Sequence, residues 1–282
     1  MQNKENQNFK RSQGDQSHMT FQLGADGVDI YERVIVPLWF EHWAEALVRL
    51  AKLKPGNTVL DVACGTGVVT RLAKKIVGPN GGVSGLDMNA SMLSRAKSLA
   101  EDLDIKWIES DVCASGLGEA QYDVILSQQG YQYFPDKQRA LNELHRLLSP
   151  EGRLIFSVWD GQSIYTQAVC NAVEKYISIE AAHIQRRQRE TPPPSDLKSG
   201  LRAAGFTDIK IERQELMIEI PLAPEFVPLH LGSMPIGDKF SALSAVAKKQ
   251  FINEVEVSMA SYVRETKVIY PDAVNVAVGL KA

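Results

Sequence analysis

Residues 59–67 read Val-Leu-Asp-Val-Ala-Cys-Gly-Thr-Gly, a short apolar run carrying one carboxylate and then two glycines spaced Gly-x-Gly. That order suits a buried strand leading into a loop that passes close to a ligand, because glycines lack the Cβ atoms that hold a backbone away. Twenty residues past Gly67 a second apolar run ends at Asp87. A carboxylate there can accept hydrogen bonds from both hydroxyls of a ribose. Gly65, Gly67 and Asp87 together point to a nucleoside site. The plainer alternative is that the glycines only make a turn and Asp87 only caps a helix. The dinucleotide fingerprint would require glycine at position 70, where Thr70 stands, which disfavours a nicotinamide or flavin dinucleotide.

The elements that must position these residues follow a strand–helix rhythm. The segment 31–52 is expected to be helical, its second part amphipathic through Phe40, Trp43, Ala44, Leu47, Leu50 and Ala51. Strands are expected at 58–62, 82–87, 105–109, 122–127 and 153–159. Helices are expected from Val68 to Val77, from about Ala90 to Glu101 and from Lys137 to Leu148, with a turn at Ser149–Gly152. This alternation implies right-handed crossovers and a parallel sheet covered on both faces. The fold expected is therefore α/β, a Rossmann-like, seven-stranded, mostly parallel sheet with helical lid insertions.

Beyond Trp159 the rhythm changes. Residues 161–190 read as one long helix or two shorter ones. Thr191-Pro192-Pro193-Pro194 reads as a stiff linker, with Ser195 or Asp196 placed to cap the next helix. A strand from about 206 to 220 and another from 268 to 280 suggest an antiparallel hairpin with a helical insertion, 222–256, between its arms. The organisation expected is a flexible tail (1–25), a nucleoside-binding core with a flap helix (26–160), a lid insertion (161–195) and a segment completing the sheet (196–282).

The string Asp61-Val62-Ala63-Cys64-Gly65-Thr66-Gly67, followed by Gly85-Leu86-Asp87 on the next strand, closely resembles the S-adenosylmethionine (SAM) motifs of class I methyltransferases. It is nearest to the small-molecule branch of ubiquinone/menaquinone-biosynthesis type, over roughly Tyr31 to Trp159. The resemblance implies SAM as cofactor. It places Asp61 near the methionine part, Gly65 against the cofactor, Met88 over the adenine, and Asp111, beside Val112, on the adenine amino group. Tyr122–Ser127 resembles the strand passing beside the sulfonium, and Gln128 at its end is expected to hold the cofactor. Tyr31 is a further cofactor candidate, in the flap. Gln129, Tyr131, Tyr133 and Phe134 are expected to wall the acceptor pocket, the aromatic rings also favouring a sulfonium. For Tyr133 and Phe134 ordinary core packing is the alternative, as it is for Met88.

Composition narrows the function classes. The 282 residues carry 31 basic and 34 acidic side chains, a net charge of −3 that gives no electrostatic reason for a nucleic-acid partner. The three cysteines are widely spaced and form no metal-ligand pattern, so no metal is expected. With no signal-like or membrane-spanning run apparent, a cytoplasmic protein is expected, with a homodimer left open. The expected reaction is an in-line displacement, in which an acceptor's nucleophile attacks the SAM methyl carbon, the acceptor being a small, moderately hydrophobic metabolite of natural-product, isoprenoid or aromatic type. Because the sulfonium is already a good leaving group, catalysis rests on positioning and exclusion of water. No general base is named. His42 and His145 fall on expected helices, and a helix-surface role is also preferred for His183 and His230 in the insertions. The rival readings are a nicotinamide-dependent oxidoreductase and a non-catalytic interaction protein on the same fold.

Overall fold

The computed structural model describes residues 25–282, so all but the last position of the expected tail lies outside the described residues. The chain enters through α1 (Ala25–Ile30) and a π-helix (Tyr31–Phe40), then continues as α2 (Glu41–Ala51). The amphipathic expectation describes α2 well: Trp43, Ala44, Leu47 and Ala51 are all buried. The wider π winding just before it was not anticipated; such stretches are uncommon and often lie at functional sites.

The sheet is built from β1 (Val59–Val62), β2 (Val83–Asp87), β3 (Lys106–Glu109), β4 (Tyr122–Gln128), β5 (Leu148–Trp159), β6 (Thr207–Pro221), β7 (Val263–Arg264) and β8 (Lys267–Leu280). The spatial order is β3-β2-β1-β4-β5-β8-β6, with β7 paired to β8. The sheet thus has eight strands, not seven. The additional one is the two-residue β7, which hairpins into β8 through Glu265 in the left-handed region (φ 53°). The first five strands are parallel, and β8 runs antiparallel to β5, β6 and β7.

Side-chain alternation along the strands feeds two cores. Val59, Val124, Leu126 and Ile155 pack with α2 and with α3 (Val68–Val77). Leu60, Ile125, Leu154 and Phe156 face the opposite layer, formed by α5 (Lys137–Leu147) and α8 (Pro194–Ala203). Between β2 and β3 runs α4 (Ala90–Ser98), capped by the Asn89 side chain, which accepts from the backbone N–H groups of Ser91 and Met92.

Residues 161–190 form two helices, α6 (Ile164–Tyr176) and α7 (Ile179–Arg187). The second insertion supplies α9 (Ala223–Gly232), α10 (Gly237–Ser241) and α11 (Ala245–Met259). One local expectation is corrected. Neither Ser195 nor Asp196 caps α8; Pro193 stands at the cap and Pro194 opens the helix, where its missing N–H has no intrahelical role. The expected turn at Ser149–Gly152 lies inside β5, with Glu151 in the left-handed region (φ 63°) and a register shift against β4.

The β6–β8 ribbon is longer than the sheet it completes. β5 ends at Trp159 opposite Val274, whereas β8 residues 267–273 continue beyond it, paired with β6 residues 215–221. That overhang rises past the carboxyl end of β5. It carries Ile218, Ile220, Val268 and Tyr270 into the core that holds α6, α9 and α11. Both helical insertions are thereby fixed over the carboxyl edge of the sheet. No described helix is long and apolar enough to cross a membrane.

Candidate functional site

A cleft of about 190 Å³ opens at the carboxyl ends of the central strands. It runs from Asp87 on β2, past Ala63 after β1 and Gln128 on β4, to Trp159 on β5. Three strand spacings make that roughly 14 Å. The π-helix covers it with Tyr31, Ile35, Trp39 and Phe40, and the insertions close the far end with Thr166, Gln185, Gln188, Arg189, His230 and Met234.

At the β2 end, Asp87 does not act as a helix cap, since Asn89 fills that role. Its Oδ2 accepts from the Gly65 N–H at 2.8 Å and its Oδ1 from the Asn89 N–H at 2.9 Å. Desolvation raises its proton affinity, against the pull of the Asn89, Gly65 and Met88 backbone groups. Gly65 lies in the left-handed region (φ 55°), and a Cβ built there would meet nothing within 4 Å, so the loop leaves open space beside the carboxylate. Met88, Asp111 and Val112 line the same end, and Met88 is 47% exposed. Asp111 accepts from the Cys113 N–H at 2.8 Å, which fixes its carboxyl at the start of a short 3₁₀ turn.

In the middle, two non-glycine residues occupy the left-handed region at adjacent strand ends: Ala63 (φ 54°) and Gln129 (φ 46°). Each such conformation costs on the order of 1–3 kcal/mol and persists where the surroundings impose it. Gly130 permits their close approach, since a Cβ there would sit 2.5 Å from that of Ala63. The Gln128 Nε2 donates to the Phe40 carbonyl at 2.8 Å, so this side chain ties the π-helix to β4. The Gln129 amide is buried with neither its nitrogen nor its oxygen hydrogen-bonded.

The far end was not foreseen from sequence. Arg189, 6% exposed, stacks over the Trp159 ring at 3.9 Å. It donates to the Thr166 hydroxyl at 2.8 Å and pairs with the Asp272 carboxylate at 2.6 Å, on the β8 overhang. His230, expected on a helix surface, is instead buried against Trp39 and Phe226, with its Nδ1 3.0 Å from the Tyr165 hydroxyl. Burial, aided by the Arg189 charge, pushes its imidazole down to about 4, so it is neutral around pH 7.

Of the residues singled out from sequence, Tyr31, Gly65, Asp87, Met88, Asp111, Val112, Gln128, Gln129, Tyr133 and Phe134 line the cleft. Tyr131 does not. Its ring stacks on Phe156 at 4.8 Å, in the core beneath α5 and α8. Gly67 does not either: it begins α3 at φ 82°, and a Cβ on it would lie 2.5 Å from the Trp107 ring. Packing and a left-handed backbone by themselves account for this glycine. Asp61 faces a smaller adjoining recess shared with Tyr31, Gly65 and Gln128.

Asp61 is almost fully buried, and its Oδ2 accepts the Thr70 hydroxyl at 2.6 Å. Burial pushes its carboxyl up to about 7; the Thr70 hydroxyl opposes this and the Asp87 charge adds to it. Its folded-state pKa is raised, so the folded chain keeps the proton longer than the unfolded chain does. The stability this group contributes is full below its ordinary 3.8 and lost as pH rises through about 7. Asp61→Asn should therefore melt close to the parent near pH 4 and several degrees above it in mildly alkaline buffer. Melting curves across that range give the check; a difference that does not vary with pH would contradict the burial of an ionisable Asp61.

No group of three or more His, Cys, Asp or Glu side chains among the described residues is placed to hold a metal ion. In comparisons with known proteins, a family model described as a methyltransferase domain matches residues 53–205. A 2-phytyl-1,4-naphtoquinone methyltransferase from Nostoc sp. is 36% identical over 116 residues, covering 39% of this chain and 50% of that protein. A demethylmenaquinone methyltransferase from Bacillus cytotoxicus is 29% identical over 150 residues, covering 52% of this chain and 63% of that protein. The chain thus spans about half to just under two thirds of the length of these curated relatives. Among solved structures, a Haemonchus contortus phosphoethanolamine N-methyltransferase 2 bound to S-adenosylhomocysteine superposes with a TM-score of 0.59 at 17% identity, over 91% of this chain and 57% of that one. The YcgJ protein of Bacillus subtilis superposes with a TM-score of 0.56 at 16% identity, over 85% of this chain and 98% of that one. These likenesses agree on the Rossmann-like fold, and the family match covers more than half of the chain: it belongs to the methyltransferase-domain family.

Proposed function

We propose that this protein transfers the methyl group of SAM to a small, moderately hydrophobic acceptor. The observation that carries this reading is the juxtaposition of Asp87, Gly65 and Asp111 at the carboxyl ends of adjacent parallel strands, opening into a cleft that runs on to Trp159 and Arg189. The residues present fit such a cofactor. Asp87 offers a carboxylate to ribose hydroxyls, and open space at Gly65 admits the ligand beside it. Met88 and Val112 offer apolar contact for an adenine, with Asp111 at its edge. Asp61 and Tyr31, around the adjoining recess, are placed for the amino-acid end.

When bound, SAM supplies an electrophilic methyl on a positively charged sulfur. The chain's own residues position and enclose. Trp39, Phe40, Tyr133 and Trp159 present aromatic surface around the middle and far end of the cleft, which suits a flat apolar acceptor and favours a nearby cation. The π-helix, α7 and α9 form the roof, in the role of lid, and exclude water. The names of the quinone-methylating relatives agree with an aromatic, bicyclic acceptor. An acceptor hydroxyl would have a neutral imidazole, His230, as its neighbour, and the described residues lining that end include no carboxylate or lysine.

Calorimetric titration with SAM, S-adenosylhomocysteine and reduced or oxidised nicotinamide dinucleotide tests the reading. Saturable binding of the two adenosyl ligands alone is expected. Binding of the nicotinamide instead, or of none of them, would overturn it.

A further inference from the structure

The stretch of the cleft from Gln129 in its middle to Arg189 at its far end combines a guanidinium with a buried, unpartnered amide, and Gln132 in the same cleft adds a second such amide. We infer that this stretch is an oxyanion subsite of the acceptor, and that the substrate carries an ionised oxygen (enolate, phenolate or carboxylate) on a planar apolar body. This deepens the methyl-transfer reading and rests on it.

Two independent observations converge. The first is Gln129. Its backbone is held at φ 46°, where a non-glycine residue is strained, and its amide is buried with no hydrogen-bond partner at either end. Buried polar groups are almost always satisfied, and an unsatisfied one costs roughly 1–3 kcal/mol. Strain and an unmet donor on one residue, at the mouth of a central strand, mark a group held ready for a ligand. Gln128 spends its amide nitrogen on the Phe40 carbonyl and leaves its Oε1 unbonded, and Gln132 is unbonded at both ends, but of the three Gln129 alone also has a left-handed backbone.

The second is the disposition of charge. Arg189 lines the cleft with its Nε buried and unbonded. Its partner Asp272 does not line the cleft; it stands behind the guanidinium on the β8 overhang, accepting from Arg189 and from the Ala273 N–H. A ligand at this wall therefore meets the cationic side of the pair. The carboxylates that do line the cleft, Asp87 and Asp111, belong to its opposite end, at β2 and after β3. His230, close enough to feel the Arg189 charge, is neutral at ordinary pH and adds nothing opposing. The Trp159 ring holds the guanidinium plane at 3.9 Å, so its donors are pre-oriented at little entropic cost.

An amide donor plus a stacked, pre-aligned guanidinium beside aromatic walls is a receptor for a negatively charged oxygen attached to an aromatic ring. The same contact would favour an acceptor already ionised when it meets the methyl group. That removes the need for a strong general base at an end of the cleft where the described lining offers none.

The test uses the whole chain with S-adenosylhomocysteine at saturation and compares naphthoate with neutral naphthamide, matched in shape, by calorimetry. Naphthoate should bind at least tenfold more tightly. Gln129→Leu should lose most of that preference while its melting temperature holds or rises, because an unpaired buried amide has been removed. A merely structural Gln129 would lose stability and leave the preference alone. Since Arg189 is tied to a buried carboxylate, its role is read in the compensated variant Arg189→Met with Asp272→Asn, which should also lose the preference. Loss in either variant assigns the contact to that residue. Equal affinity for the two probes in the parent, or a preference that survives in both variants, overturns the subsite. S-adenosylhomocysteine is titrated first: failure there removes the cofactor reading itself, whereas normal cofactor binding without discrimination removes the subsite alone.

Discussion

Replacing Asp87 with alanine is expected to weaken SAM binding by roughly a hundredfold or more, from the loss of two hydrogen bonds to a charged acceptor worth about 1.5–3 kcal/mol each. The carboxylate has two faces to its role. Within the protein it accepts from the Gly65 and Asn89 N–H groups and so joins the glycine loop after β1 to the end of β2. Toward the cleft it offers the charge that ribose hydroxyls would use. Asp87→Asn separates the two, since it keeps an acceptor oxygen but removes the charge. Its affinity should fall between those of the parent and the alanine variant. Calorimetry for affinity and thermal melting for fold, run on both variants, distinguish ligand loss from loop collapse. SAM affinity unchanged in Asp87→Ala would remove Asp87 from the site.

This end of the cleft was readable from sequence because its requirements are local. A strand ending in a glycine loop, and a carboxylate closing the next strand, lie within 30 residues of each other, and each constrains its own backbone. The parallel core follows from the same rhythm. Even here the motif mixes two kinds of requirement. Gly67 matches the motif, yet it is glycine because Trp107 presses against its α-carbon and because it starts α3 in a left-handed conformation. A pattern of residue types cannot tell a glycine kept for a ligand from one kept for a neighbouring ring.

The other wall was not readable, for a different reason. Arg189 sits in a charged stretch just past α7 and is held at the cleft by Thr166, Trp159 and Asp272, the last 83 positions along the chain on the β8 overhang. His230 shows no distinguishing spacing; it is drawn inward by Trp39 on the π-helix and Tyr165 on α6, with Phe226 one turn earlier on its own helix. Tyr131 erred in the opposite direction. Placed in the polar and aromatic run 128–134 at a strand end, it turns the other way and stacks on Phe156. The π-helix was hidden as well, since residues 34–40 are apolar almost without interruption and so carry no period from which a winding could be inferred.

The same non-local contacts make a second large effect predictable. Arg189→Ala should destabilise the fold by about 3–5 kcal/mol, because it leaves the Asp272 carboxylate buried without its counter-charge. Asp272 is 4% exposed and its Oδ2 has no hydrogen-bond partner even with Arg189 present, so without the guanidinium the carboxylate would keep the Ala273 N–H but no counter-charge. Truncation would also remove the bond to Thr166 on α6 and the stacking on Trp159, so the loss is concentrated where the first insertion meets the sheet. The paired change Arg189→Met with Asp272→Asn takes out both charges while keeping volume, and should recover most of the stability, since a buried ion pair gains little over apolar packing. Chemical denaturation of the parent, the single variant and the pair measures this directly. A single variant as stable as the parent would mean that Asp272 is reached by water and that the insertion is not held over the cleft by this pair. Recovery in the double variant, with normal S-adenosylhomocysteine binding, would show that the pair can be removed without damaging the cofactor end. Any change in acceptor affinity then belongs to the wall itself.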